Sequence, residues 1–242
     1  MSRIRQTAEL ALKALCDLGA QSASAQAQTG KKSEFTIEGG RFTLLRTTMD
    51  NSLSLQAIRD HRRGSVSGNS FEEEAVYSAA RDCVASAEAA QPDPAWEMAA
   101  DGRGTFRDGA PEADMEKLFD RTRELMDSVH QEYPRIILEQ VIAAHANREG
   151  IYLNSHGVEY ETLSGQYEVT LMFSGHEGDK SSSFNYSGLV TDSLDKPFLE
   201  LGSVRQNLSD AERQIHTEPM QGKFEGTVIF TPDCLGSTLS AA

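Results

Sequence analysis

The chain has 242 residues, a formal net charge of −14, and apolar and charged fractions of 38% and 25%. Those proportions suit a folded, soluble chain and argue against a disordered one. The acidic excess argues against nucleic-acid binding, which needs clustered Lys and Arg facing phosphate, and no apolar run is long enough to cross a bilayer.

Ile4, Ala8, Ala11, Leu12, Leu15 and Leu18 fall at helical spacing and Gly19 is placed to end the helix. Glu9, Lys13 and Asp17 interrupt the stretch, so it is an amphipathic helix rather than a secretory signal. Without secretion, the glycosylation-type sequons at Asn185 and Asn207 are coincidences, and a cytoplasmic protein is expected. Residues 21–32 have the composition of a polar linker. Short strands are expected at 34–37, 41–48, 53–59 and 64–67, with turns at Gly39-Gly40, Asp50-Asn51 and 61–63. Ser70 and Glu73 suit a capping box, and Val76, Ala80, Cys83, Val84 and Ala87 form the buried stripe of the helix that follows.

Pro92 and Pro94 stop that helix, and residues 91–111 form an irregular connection around Trp96. The next helix places Met115, Leu118, Phe119, Thr122, Leu125, Met126 and Val129 on one face and ends at Pro134. Residues 135–146 suit a strand, with a turn at 147–150. Tyr167, Val169, Leu171 and Phe173 alternate with polar residues, the period of a half-buried strand. Turn chemistry at 154–157 and 175–179 makes this region an antiparallel meander. A short helix at 208–216, a strand at 224–230 and a helix opening at Thr231-Pro232 complete the chain.

Few residue patterns point to chemistry. Cys16, Cys83 and Cys234 form no Cys-x-x-Cys pair, which implies neither a zinc ribbon nor a disulfide framework. His176-Glu177 lacks a second His four residues on, and His216 is followed by Thr, Glu and Pro. His145, His156 and His176 leave a cross-strand metal site open, although separately hydrogen-bonded imidazoles are the commoner outcome. Arg59, Arg62 and Arg63 form a basic turn that either docks a carboxylate or sits in water. Glu159, Glu161 and Glu168 line a strand region as solvated acids, and Ser181, Ser182 and Ser183 lack a neighbouring base in sequence. There is no Gly-x-Ser-x-Gly elbow, P-loop or dinucleotide fingerprint.

Three segments, in order, carry a resemblance. They are 50–69 (Asp-Asn-Ser-Leu through Gly-Ser-Val-Ser-Gly-Asn) with the helix after it, 151–186 with its Asn-Ser-x-Gly turn and Ser-Ser-Ser-Phe-Asn-Tyr end, and Gly222-Lys223 through Pro232. Together they resemble the TldD/PmbA family of gyrase-modulator and microcin-processing metallopeptidases, over residues 34–239. The resemblance implies an α+β fold of antiparallel sheets packed with amphipathic helices. It implies an N-terminal α+β domain at 1–111, a central helix-plus-meander domain at 112–216, and the start of a truncated C-terminal domain at 217–242, the sequence being a fragment.

In that family a subunit with a His-Glu-x-x-x-His zinc helix pairs with a relative that lacks it. This chain is similar to the lacking, PmbA-like (TldE-like) type, so the resemblance implies no catalytic, cofactor or metal residue here, and zinc in a partner subunit. The implied partners are a TldD-like metal-bearing subunit or a second copy, and a peptide or unfolded-protein substrate. No role as a zinc ligand transfers to Cys234, which lies too early. A non-enzymatic interaction module is the alternative.

Overall fold

The computed structural model describes residues 2–219, 222–223, 225–230 and 232–240. The N-terminal helix α1 (Arg3–Asp17) is capped by Ser2 Oγ, which accepts from Arg5 N–H, and Gly19 at φ +90° turns the chain away. Residues 21–32 are no linker. They open β1 (Ser22–Glu38), where Ala23, Ala25 and Ala27 are fully buried beneath α1. Alanine is a poor signal for a strand, yet its small side chain lets a helix lie close to a sheet.

A Gly39-Gly40 turn, both at positive φ, leads into β2 (Arg41–Arg59). This strand is continuous, so the turn expected at Asp50-Asn51 is absent. Asp60 and His61 at positive φ then make the tight turn to β3 (Arg62–Gly68). Helix α2 (Glu73–Ala89) buries the five residues expected of it, but its cap is Glu72 and no side chain closes it, contrary to the capping box.

The connection at 91–111 holds a strand, β4 (Arg103–Gly109), and α3 (Met115–Glu132) follows with Asp114 accepting from Lys117 N–H. The hairpin β5 (Ile136–Asn154) and β6 (Glu159–Glu177) runs straight through 147–150, the second expected turn that is absent. The turn between them is held by Asn154 Oδ1, which accepts from the backbone of His156 and Val158. After it come β7 (Lys180–Ser181), β8 (Asn185–Thr191), a 3₁₀ turn (Phe198–Glu200), α4 (Val204–Arg213) and α5 (Pro232–Ser240). Residues 225–230 carry no strand, and Thr231, the expected cap of α5, lies outside the described residues.

The architecture is α+β. Among the described residues one eight-stranded sheet has the order β3-β2-β1-β5-β6-β4, with β7 and β8 also on β6, and of these pairs only β4 and β6 run parallel. The sheet is continuous across residue 111, because β1 and β5 pair from Ser24↔Asn154 to Glu38↔Gln140.

Side chains alternate across a strand, and odd-numbered residues between the bulges of β1, β2, β5 and β6 supply most of the apolar core: Ala25, Leu55, Val141, Ile151 and Leu171 among them. One core gathers α1 and α2 over Ala23, Leu53 and Ile151. A second gathers α3 and α4 over Phe35, Val141 and Phe173. The four helices therefore cover one face of the sheet in two groups, and the opposite face mixes charged residues such as Lys32, Arg46 and Glu168 with the exposed Leu44, Tyr186 and Val190.

Candidate functional site

Between the two cores the long strands cross a polar waist. Its rows read Asp50–Gly30–Arg148–Ser164 and Asn51–Thr29–Glu149–Leu163. At this level the helical cover is reduced to the first turn of α1, where Ile4 comes beside Glu149 and Leu163. A cavity of about 340 Å³ opens there on the helix side, lined by Thr29, Lys31, Met49, Asn51, Asn147 and Glu149 among others. The two segments expected as turns, 50–51 and 147–150, lie side by side in this waist. Their Asp, Asn and Arg side chains stay exposed because the helical cover is thin here.

On the uncovered face Lys32 Nζ sits 2.8 Å from Glu168 Oε2, and Arg46 Nε sits 2.7 Å from Glu34 Oε1. Lys32 and Gln166 both hydrogen-bond the Glu168 carboxylate, which holds it below the ordinary glutamate value. Lys32 escapes a reading of the sequence that takes 21–32 as a linker. The signal was the alternation of Ala23, Ala25 and Ala27 with Ser24, Gln26 and Gln28.

Glu159 and Glu161 face the helix side and share Arg5 of α1, whose Nη2 lies 2.5 and 2.6 Å from their oxygens. The two hydrogen bonds raise the guanidinium pKa further. By sharing one guanidinium these carboxylates anchor α1 to β6.

The three histidines do not converge. His145 is buried in mid-strand, with Nε2 2.6 Å from the Ala110 carbonyl and its ring against Tyr167. His156 lies in the β5–β6 turn, 3.0 Å from Ser22 Oγ. His176 lies at the far end of β6, 2.9 Å from Ser174 Oγ, which donates to Glu139 Oε1. Glu177 points to the other side and pairs with His216 Nε2 at 2.6 Å and Arg135 at 3.5 Å, which hold its carboxyl below the usual range. Among the described residues no three His, Cys, Asp or Glu side chains are placed to hold a metal ion.

Of the three serines, Ser182 is engaged within the fold. Ser182 Oγ accepts from Gly175 N–H and donates to the Ser183 carbonyl, which closes the β6–β7 hairpin. Ser174 gives its proton to a carboxylate rather than to the imidazole, the wrong direction for an activated nucleophile. The basic turn is also engaged within the fold. Arg59 pairs with Glu88 at 2.9 Å, Arg62 donates to the Ala90 carbonyl, and the Arg63 guanidinium lies 3.6 Å from the centre of the Trp96 ring. Burial pushes the Cys83 thiol up to about 11, which makes it an inert core residue.

What the fold leaves open is strand edge. β3 pairs only with the second half of β2, so residues 41–52 have a free edge among the described residues, and residues 41–51 are all exposed. Beside it, Phe35, Leu45, Met115 and Phe119 line an apolar groove of about 440 Å³. Phe42 stacks on Phe119 at 4.4 Å to close one end of the hairpin.

No protein-family model and no curated protein matches the sequence. Solved structures do match. TldE from Thermococcus kodakarensis superposes with a TM-score of 0.64 at 16% identity, over 88% of this chain and 47% of that one. A Bacteroides thetaiotaomicron protein described as a modulator of DNA gyrase gives 0.65 at 18%, over 90% and 51%. A Thermotoga maritima protein of the same description gives 0.57 at 10%, over 87% and 47%. The chain spans about half the length of these structures. Its fold is that of TldD/PmbA proteins, as the resemblance of its segments implies. No helix among the described residues is long and apolar enough to cross a membrane.

Proposed function

We infer that this chain serves as the N-terminal and central part of a TldD/PmbA-type peptidase subunit of the TldE-like kind. In this reading it helps form the dimer and wall in an extended peptide, while a TldD-like partner supplies the zinc. The observation that carries it is the shared fold over nearly the whole chain, with a TldE among the solved structures. The placement of the donors is in keeping with it: His145 lies in mid-strand, His156 in the β5–β6 turn and His176 at the far end of β6, too far apart to share one zinc ion. No step of peptide cleavage is therefore assigned to them.

The long strands and free edges suit the capture of an extended chain, since main-chain N–H and C=O groups recognise a peptide without regard to sequence. The test is reconstitution. The 242-residue chain and a TldD-like subunit carrying His-Glu-x-x-x-His should copurify and cleave an unfolded peptide together, with neither active alone. Cleavage by this chain alone in the presence of chelator would overturn the reading, and so would stoichiometric zinc held by its own side chains. Failure to copurify would leave the interaction-module alternative.

A further inference from the structure

The uncovered face of the sheet loses its charge at one end. Cross-strand register places Ser67–Ser54–Gln26–Tyr152–Tyr160–Gly104 in one row on that face. The next row reads Ser52–Gln28–Gly150–Thr162–Phe106. Neither row holds a charged residue, in a chain of which 25% is charged. Charge returns with Asp50 and Arg148 towards the waist, and with Arg63, stacked on Trp96, at the strand ends.

The aromatic side of these rows lies flat on the sheet. Tyr160 takes the space that side chains at 102 and 104 would need: a Cβ at Gly102 would lie 2.5 Å from Tyr160 Oη, and one at Gly104 would lie 3.8 Å from its Cδ1. The ring therefore rests across the start of β4 and turns its outer face to solvent. Phe106, 55% exposed, folds back over Gly104 and meets Tyr160 edge-on at 5.6 Å. Tyr152 lies on the other side, its ring plane within 24° of that of Tyr160. Nothing among the described residues hydrogen-bonds the phenolic oxygen of either tyrosine. Beside the rings, Gln28 and Thr162 lean over Gly150, where a Cβ would lie 3.0 Å from Gln28 Cγ and 2.9 Å from Thr162 Oγ1. Gln28 Oε1 accepts from Ser52 Oγ, which leaves its amide N–H groups to donate elsewhere.

This chemistry selects among ligands. A nucleic acid needs Lys and Arg, which these rows lack. A proline-rich peptide seats in a groove between aromatic walls, whereas Tyr160 lies down. A pyranose carries C–H groups on its faces, which suit the negative face of an aromatic ring, and hydroxyls around its rim, which suit amide and hydroxyl partners. We propose that this end of the open face binds a neutral oligosaccharide, its sugar rings stacked on Tyr160 and Tyr152 and its hydroxyls paired with the tyrosine Oη groups, Gln28 and Thr162. The site is independent of the peptidase reading: a chain that binds the sugar and supports no cleavage keeps this inference and loses the other.

The test uses the full chain and three neutral probes, cellohexaose, N-acetylchitohexaose and mannohexaose, with hexagalacturonate and decaproline as the anionic and peptide alternatives. Saturation-transfer NMR from the aromatic protons should reach the sugar C–H protons of at least one neutral probe, and titration calorimetry should show saturable binding. Tyr160→Ala should weaken that binding about tenfold, through loss of one aromatic anchor, and Gln28→Ala should weaken it a few-fold. Tyr186→Ala, exposed on the same face at the other end of the sheet, should leave it unchanged. Circular dichroism of each variant guards against misfolding. No binding of any neutral probe, affinity indifferent to Tyr160→Ala, an equal loss at Tyr186→Ala, or tighter binding of hexagalacturonate or decaproline would overturn the proposal.

Discussion

Lys32 reaches across β5 to Glu168, and the consequence is measurable in one titration. The Glu168 carboxyl lies below its ordinary value of 4.5, chiefly through the hydrogen bond from Lys32. Its folded pKa is depressed, so the stability it contributes is present above the unfolded value and is lost as pH falls through the folded one. With the partners partly exposed, the effect is small in energy but visible as a carboxyl resonance that titrates low. Lys32→Met should return that resonance toward 4.5; a midpoint unmoved by the substitution would show that the ion pair does not form. Gly64 makes a steric statement of the same kind. A Cβ there would lie 2.2 Å from the Cys83 carbonyl oxygen and 2.4 Å from Ala87 N, so β3 touches the backbone of α2. Gly64→Ala should lower the melting temperature by several degrees, a result of pushing helix from sheet. Phe173, fully buried beneath α3 and α4, belongs to the ordinary core class, and Phe173→Ala should cost about 3–5 kcal/mol in denaturant unfolding.

At the scale of elements, helices and the apolar ends of strands are legible in the sequence because each buries one continuous stripe. The faces of α2 and α3 emerge residue for residue, and the Asp114 cap of α3 sits where a short polar side chain precedes the stripe. Asp114→Ala should cost about 1 kcal/mol, measured by chemical denaturation, and fraying of the first turn should appear in hydrogen exchange at Lys117. Strand lengths are less legible. Turn-forming residues at 50–51 and 147–150 mark breaks in the helical cover rather than breaks in the strand, and the Ser-Ala alternation of 22–27 hides a strand packed close under α1. β4 has a similar reason: its residues are nearly all exposed, so no hydrophobic period announces it, and its parallel pairing with β6 depends on a distant partner. The histidines show the same limit at the site. Their identities are plain in the sequence, while their dispersal along β5 and β6 follows from strand register alone.

The whole molecule has two cores on one sheet, and that arrangement sets how it unfolds. The core under α1 and α2 and the core under α3 and α4 share no helix, but β1 and β5 run through both and pair in unbroken register. Melting one core strips these strands of half their burial while the backbone ladder still ties them to the other half. The waist between the cores is polar, so it adds little apolar burial of its own and transmits the coupling through strand hydrogen bonds. Loss of one core should therefore carry the other with it. The single tryptophan, Trp96, stacks with Arg63 beside the first core and reports on that half, whereas far-ultraviolet dichroism is dominated by both. Denaturant curves from the two probes should coincide in midpoint and slope, and Phe173→Ala in the second core should shift the Trp96 transition by as much as the dichroism transition. Separate midpoints, with Trp96 indifferent to Phe173→Ala, would mean that the waist acts as a boundary and that the strands unfold in two independent pieces.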